Sequence, residues 1–367
     1  MDGIAVKAFA KVNMSLEIKT KQPDGYHGIE TLFRGIALHD SLYISPNHDG
    51  VHLESDQPGL PGLPMDSGNL AWWAARLLRQ AFPRRIGGVT IRLNKRIPLS
   101  AGLAGGSADA AAALLGINRL FNLRLNESSL LDLAAQLGSD VAFCLEPYAA
   151  VGRGRGEVLE PVDPGPPLWL LLVKPVFGMS SKAVYEHWDA MNEKARHEEF
   201  GTKKSDKGAG AAGKNGRTGG AEGGGVQKRG INGHSHERAG GDRLAVLLES
   251  LRENKPELIL ENIYNDLEKP AFSLEKKLED YKKWIEGEAA GIGGASRVML
   301  CGSGSAFAAY FAEEEPARLL EKRLRASLSL IPSRRQSSIP DDEFPLILLT
   351  RTLTEEDLSS RTSEHSI

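Results

Sequence analysis

Pro98-Leu99-Ser100-Ala101-Gly102-Leu103-Ala104-Gly105-Gly106-Ser107 follows a strand-like run, Val89-Thr90-Ile91-Arg92-Leu93, and leads into an alanine- and leucine-rich segment at 108–121. The order is strand, glycine loop, helix. Small residues let backbone amides approach a phosphate closely, and the start of a helix adds favourable potential for an anion. The same residues also suit a tight strand-to-helix turn, and spacing alone leaves both readings open.

On the amino-terminal side, residues 5–18 alternate, with Val12, Met14, Leu16 and Ile18 on one face and Lys11, Asn13, Ser15 and Glu17 on the other. That pattern predicts a strand with one polar side, on which Lys11 and Asn13 point the same way, either into one cleft or simply to solvent. Pro23-Asp24-Gly25 supplies turn chemistry before a second strand at 31–44, so the chain opens as a hairpin. A helix is expected at 69–82. Beyond the loop, Leu137-Gly138-Ser139-Asp140-Val141 sets an acid between a glycine turn and an apolar run, as a helix N-cap or as a hydroxyl-orienting base.

Pro161 to Pro167 breaks the composition, and the apolar strand 168–173 starts a second half. The expected domains are 1–166 and 167–353, with a flexible tail at 354–367. Helices are expected at 181–194, 244–253, 259–266 and 273–286, and strands at 297–300, 306–311 and 345–350. Between them, 197–241 is rich in Gly, Lys and charge with almost no large apolar residues, and reads as a disordered insertion. Its Gly208-Ala209-Gly210-Ala211-Ala212-Gly213-Lys214 nearly spells a phosphate loop, but Asn215 stands where Ser or Thr is needed and no strand precedes it. Cys301-Gly302-Ser303-Gly304-Ser305 joins two apolar runs, either as a turn or as a close backbone approach to the first glycine loop.

The 367 residues allow two ordinary domains, and a net charge of −3 gives no global attraction to nucleic acid or an anionic membrane. Any anion must be bound locally. Cys144 and Cys301 sit in apolar runs without metal-ligand spacing, which predicts buried free thiols and a reducing compartment, the bacterial cytoplasm. The start Met1-Asp2-Gly3-Ile4-Ala5-Val6-Lys7 lacks the features of a secretory signal, and no run reaches the length of a membrane span.

Taken together, Ala10-Lys11-Val12-Asn13, Asp24-Gly25-Tyr26-His27, the loop at 98–111, Leu137-Gly138-Ser139-Asp140-Val141 and Gly302-Ser303-Gly304 resemble the GHMP kinases. The likeness spans most of the chain except the insertion and the tail. It implies a two-domain α+β fold, with an N-terminal domain like domain 2 of ribosomal protein S5 and a ferredoxin-like C-terminal domain. It also implies phosphorylation of an alcohol by ATP with Mg2+. Asp24-Gly25-Tyr26-His27 implies the branch of the family whose small-molecule substrate carries cytidine diphosphate on a methylerythritol, phosphorylated at its 2-hydroxyl for isoprenoid precursors. By the same resemblance, Asp140 and Lys11 would be catalytic, and Asn13, Tyr26, His27, Ser181 and Tyr185 would bind substrate, with His27 and Tyr185 sandwiching the cytosine. Asn69, Lys95, Pro98, Gly102, Leu103, Ala104, Gly105, Gly106 and Ser107 would bind ATP, and Ser107 is the candidate ligand for Mg2+. Ala108 stands where many relatives carry a second serine, so no phosphate contact is expected of it. The resemblance implies no nucleic-acid or membrane partner and a monomer or homodimer.

Overall fold

The computed structural model describes residues 3–23, 25–205, 241–293, 296–329 and 344–364. Asp24, the near-phosphate loop at 208–214 and all of the insertion beyond Ser205 lie outside them.

The opening hairpin is present, and longer than its pattern suggests: β1 (Ile4–Lys21) pairs antiparallel with β2 (His27–Asn47). The turn closes through the amide of Gln22, which donates to the Tyr26 carbonyl at 2.7 Å. The polar face of β1 is not solvated. Lys11, Asn13 and Ser15 are 5%, 3% and 0% exposed, because other elements cover that face as well. The pairing of β1 with β2 shifts register between Phe9 and Lys11 and again between Asn13 and Ser15. Such breaks bend a strand and re-aim its side chains.

After β3 (Gly50–Ser55), α1 (Leu70–Ala81) crosses over to β4 (Gly88–Asn94), which pairs with β2 and runs parallel to β3. Then α2 (Gly105–Leu120) lays its alanines on this sheet: Ala108 and Ala110 to Ala113 are fully buried. The approach is close enough that a Cβ at Gly116 would stand 2.4 Å from Ile44 Cδ1. Helices α3 (Glu127–Leu137) and α4 (Ser139–Leu145) and strands β5 (Ala149–Arg153) and β6 (Val158–Pro161) complete the first half, β5 pairing with β2.

The second half begins with β7 (Trp169–Lys174) and α5 (Ser181–Ser205), then α6 (Gly241–Arg252), α7 (Pro256–Asn262), β8 (Tyr264–Asn265), α8 (Glu268–Leu274) and α9 (Lys277–Ala289). It continues with β9 (Ser296–Leu300), β10 (Phe307–Phe311), α10 (Glu314–Ser329), β11 (Leu346–Arg351), α11 (Glu355–Ser359) and β12 (Thr362–Glu364). Its sheet runs β11-β7-β10-β9 with every neighbour antiparallel. In chain order that is 4-1-3-2, the ferredoxin-like arrangement. Along β7 the side chains alternate: Leu171 and Val173 pack with α9 and α10, whereas Leu170 and Leu172 join the core containing α6 and α7.

Two expectations need correction. Helix α5 runs to Ser205, past the point where the insertion was expected to begin. The tail at 354–367 is not flexible through its described part: α11 is followed by β12, which pairs with β1 as Ile4 with Glu364, Ala5 with Ser363 and Val6 with Thr362. Its anchor is Arg361, a buried cation that an amphipathic pattern does not reveal. The first sheet therefore draws β8 and β12 from beyond the composition break at 161–167.

Candidate active site

Lys11 and Asp140 come from β1 and α4, and the fold brings their side chains together, Lys11 Nζ lying 3.4 Å from Asp140 Oδ2. The ammonium is almost wholly buried, while a third of the Asp140 side chain is exposed. Lys11 Nζ also donates to Asn13 Oδ1 at 2.8 Å and lies 5.2 Å from the Phe33 ring centre. Asn13 Nδ2 in turn donates to Thr31 Oγ1 at 2.8 Å. A buried ammonium held by a carboxamide and a carboxylate is fixed in place, and the exposed carboxylate faces whatever enters. Asp140 is not the N-cap of α4. Gly138 holds that position without a side-chain bond, and Asp140 falls inside the first turn.

The glycine loop lies beside this pair, since the Lys11 amide donates to the Leu103 carbonyl at 3.2 Å. Ala104 caps α2 with φ +58° and offers no side-chain bond, so the first amides of the helix remain for a ligand. Gly106 is exposed there, with Gly105 and Ser107 half-buried. Gly102 has φ +79°, and a Cβ on it would stand 1.9 Å from the Cys301 carbonyl oxygen. Cys301-Gly302-Ser303-Gly304-Ser305 is thus the close backbone approach to the first glycine loop, and the Ala306 amide donates to the Ala101 carbonyl at 3.2 Å.

Across the cleft, the His27 and Tyr185 rings face one another, centres 5.6 Å apart and 18° from parallel. His27 Nε2 contacts Asp189 Oδ1 at 2.7 Å, and Asp189 also pairs with Lys21 at 2.6 Å. Burial and the Asp140 charge push the Tyr185 hydroxyl up to about 12, so it stays protonated. Ser181, at the start of α5, shares a hydrogen bond of 2.7 Å with Ser303.

The sequence pattern of the GHMP kinases N terminal domain matches residues 69–146, which hold the glycine loop and Asp140. A 4-diphosphocytidyl-2-C-methyl-D-erythritol kinase from Moorella thermoacetica is 37% identical over 355 residues, 96% of this chain and 100% of its own. The chain belongs to the 4-diphosphocytidyl-2-C-methyl-D-erythritol kinase family of GHMP kinases. A relative of the same name from Pelotomaculum thermopropionicum is 48% identical over a shorter stretch, 50% of this chain and 62% of its own. A crystal structure of 4-(cytidine 5'-diphospho)-2C-methyl-D-erythritol kinase superposes with TM-score 0.63 at 27% identity, covering 95% of this chain and 98% of the other. The L. major mevalonate kinase, 13% identical at the same TM-score over 96% of each chain, shares the fold.

Against this family frame, the structure brings together Lys11, Asn13, Asp140 and the loop from Gly102 to Ser107, with Ser181, His27 and Tyr185 along the adjoining wall. Tyr26 stands apart at 58% exposed, its ring beneath the Arg155 guanidinium at 4.6 Å. The Asn69 carboxamide is engaged within the protein: Oδ1 caps α1 through the Ala71 amide and Nδ2 donates to the Pro64 carbonyl, each at 2.9 Å. Lys95 is likewise turned inward. Its ammonium donates to Asp40 and, at 2.6 Å, to Asp109, all three groups being buried.

That triad supports the loop from below. Lys95 Nζ lies 3.6 Å from where a Cβ on Gly105 would stand. Asp40 Oδ1 accepts the Ile97 amide at 2.8 Å just before the loop, and Asp109 follows Ala108 directly after its end. Burial opposes the Lys95 charge, yet Asp109 and Asp40 hold its ammonium above the ordinary range. Burial pushes the Asp109 carboxyl up to about 7 against the pull of Lys95. The sequence reading missed Asp40 and Asp109; an acid within the alanine run of α2 was the available signal. Cys144 and Cys301 are free and buried, and burial raises both thiols to about 12.

Proposed function

We propose that this chain transfers the γ-phosphoryl group of ATP to the 2-hydroxyl of 4-diphosphocytidyl-2-C-methyl-D-erythritol, releasing ADP and the 2-phosphate. The observation that carries the reading is the Lys11–Asp140 pair, 3.4 Å apart between the glycine loop and the His27 and Tyr185 rings. Asp140 accepts or orients the hydroxyl proton, the oxygen bonds to the γ-phosphorus and the bond to the ADP oxygen breaks. Lys11, 3.4 Å from the carboxylate, offsets charge on the transferring group.

The free amides at 105–107 suit the phosphates. No group of three or more His, Cys, Asp or Glu side chains suited to a metal occurs among the described residues. A nucleotide-borne Mg2+ needs no such cage, and the Ser107 hydroxyl is this chain's candidate ligand. That ion would neutralise phosphate charge. Two buried thiols support a reducing compartment such as the bacterial cytoplasm, and no described helix is long and apolar enough to cross a membrane. The small-molecule substrate, without nucleic acid, and a monomer or homodimer complete the reading.

The test is steady-state turnover with ATP, Mg2+ and the cytidyl substrate. The native protein should turn over, and Asp140→Asn should lower kcat roughly 10²- to 10⁴-fold with little change in KM. No turnover by folded native protein at millimolar substrate would refute the assignment, and undiminished turnover by Asp140→Asn would refute the role of Asp140.

A further inference from the structure

The two catalytic candidates stand on separate elements, so their 3.4 Å contact depends on how α4 is held against β1. At the far end of α4, about 7 to 8 Å along its axis from Asp140 at 1.5 Å per residue, the last turn carries carbonyls with no partner inside the helix. Arg361 meets them. Its guanidinium donates to the carbonyls of Leu145 and, at 2.7 Å, Cys144. Its Nε donates to the Lys7 carbonyl on β1 at 3.2 Å, and its own carbonyl accepts the Lys7 amide at 2.9 Å. One side chain, 8% exposed, therefore fastens the C-terminal end of α4 to the strand that carries Lys11 and Asn13. Burial lowers the guanidinium to about 10, which leaves it charged at neutral pH, the favourable sign for a helix C-terminus.

We infer that Arg361 is a positioning residue for phosphoryl transfer, setting the distance and angle of the Asp140 carboxylate from the Lys11 ammonium through its grip on α4 and β1. The inference rests on the functional reading above. It assigns to the connection just before β12 a part in the active site that its distance in sequence from the glycine loop conceals. Arg361 touches neither nucleotide nor alcohol, so its loss acts on alignment, where a displacement of about 1 Å lowers a rate by about 10²-fold. It leaves the phosphate cradle intact.

The experiment is a double-mutant cycle on the full chain with Arg361→Met, Asp140→Asn and the pair, together with Arg361→Lys. Lysine keeps the charge but gathers its donors on one nitrogen, and so loses the planar fork whose Nε and two terminal nitrogens meet the Lys7, Leu145 and Cys144 carbonyls separately. Arg361→Met and Arg361→Lys are each expected to lower kcat roughly 10- to 100-fold with KM for ATP within about twofold. In the Asp140→Asn background the same change should cost no further rate, because the group being positioned is already gone. Amide hydrogen exchange in α4 should quicken in Arg361→Lys, a readout independent of activity. Multiplying losses in the double mutant, full kcat in Arg361→Lys or unchanged exchange in α4 would each overturn the inference. Should Arg361→Met fail to fold, Arg361→Lys takes its place in the cycle. An inactive but folded native protein would refute the functional reading, while the exchange measurement would still decide whether Arg361 holds α4.

Discussion

At the scale of single residues, chemistry resides in groups whose surroundings set their charge. Lys11 and Asp140 were legible as candidates because each sits in a distinctive tetrapeptide or pentapeptide, but only the fold makes them neighbours. Lys95 turns its ammonium into the protein. The resemblance placed it toward ATP, yet the two acids that hold its ammonium lie on β2 and α2, where no local spacing announces them. Lys174 is a second inward lysine. Its ammonium, 7% exposed, donates to the carbonyls of Pro175 at 2.6 Å and Phe177 at 2.8 Å, and Phe177 also accepts Ser305 Oγ. It thereby pins the segment before α5 against the second glycine loop. Burial lowers it from 10.5 to about 8. Between those values the unfolded chain binds more protons than the native one, so this group's contribution to stability rises with pH from about 8 to about 10.5. The stability of native protein relative to Lys174→Met should therefore increase over that window by about 1–2 kcal/mol after solvent screening, read from urea midpoints at pH 7 and 10.5. A flat difference would show that the ammonium is not strained by burial.

At the scale of elements, the strand, loop and helix order around residues 89–121 was readable, because alanine and leucine favour helix and the β-branched run favours strand. The burial of the polar face of β1 was not readable, since alternation says which side chains share a face and not what covers it. Short elements without a continuous run of large apolar residues also escaped: β5 (Ala149-Ala150-Val151-Gly152-Arg153), β6 (Val158-Leu159-Glu160-Pro161) and β12 (Thr362-Ser363-Glu364), whereas β9 and β10, no longer than β5, were read from their apolar runs. What binds the two glycine loops is backbone contact at Gly102, where both φ and space exclude a side chain. Gly102→Ala would drive its Cβ into the Cys301 carbonyl and force a strained φ, a cost of roughly 1–3 kcal/mol. The loops must move apart in response. The expected outcome is a Tm several degrees lower and a KM for ATP raised about tenfold or more, checked by calorimetry and kinetics. Unchanged KM for ATP would mean that the loop contact does not shape the nucleotide site.

At the scale of the whole molecule, the substrate wall is assembled from both halves: His27 begins β2, whereas Tyr185 and Asp189 lie on α5. The resemblance named the two rings, but nothing local in either sequence says that they meet. They do, and more closely than a bound base allows. A base between two parallel rings needs about 3.5 to 4 Å on each side, the optimal separation of non-bonded carbons, and the two gaps together exceed the 5.6 Å between the ring centres. The rings must part or slide for cytosine to enter, and Asp189 ties α5 to the hairpin through its contacts with His27 and Lys21. Stacking on an aromatic face is worth roughly 1–3 kcal/mol per base. Tyr185→Ala should accordingly raise KM for the cytidyl substrate roughly 5- to 150-fold, leaving KM for ATP within about twofold, because the phosphate cradle belongs to the other wall. Tyr185→Phe keeps the ring and should stay close to native in both constants. Steady-state kinetics with each substrate varied in turn will decide. If both KM values rose together, the ring would be supporting the cleft as a whole. If neither moved, cytosine would bind elsewhere and the substrate preference would need another origin.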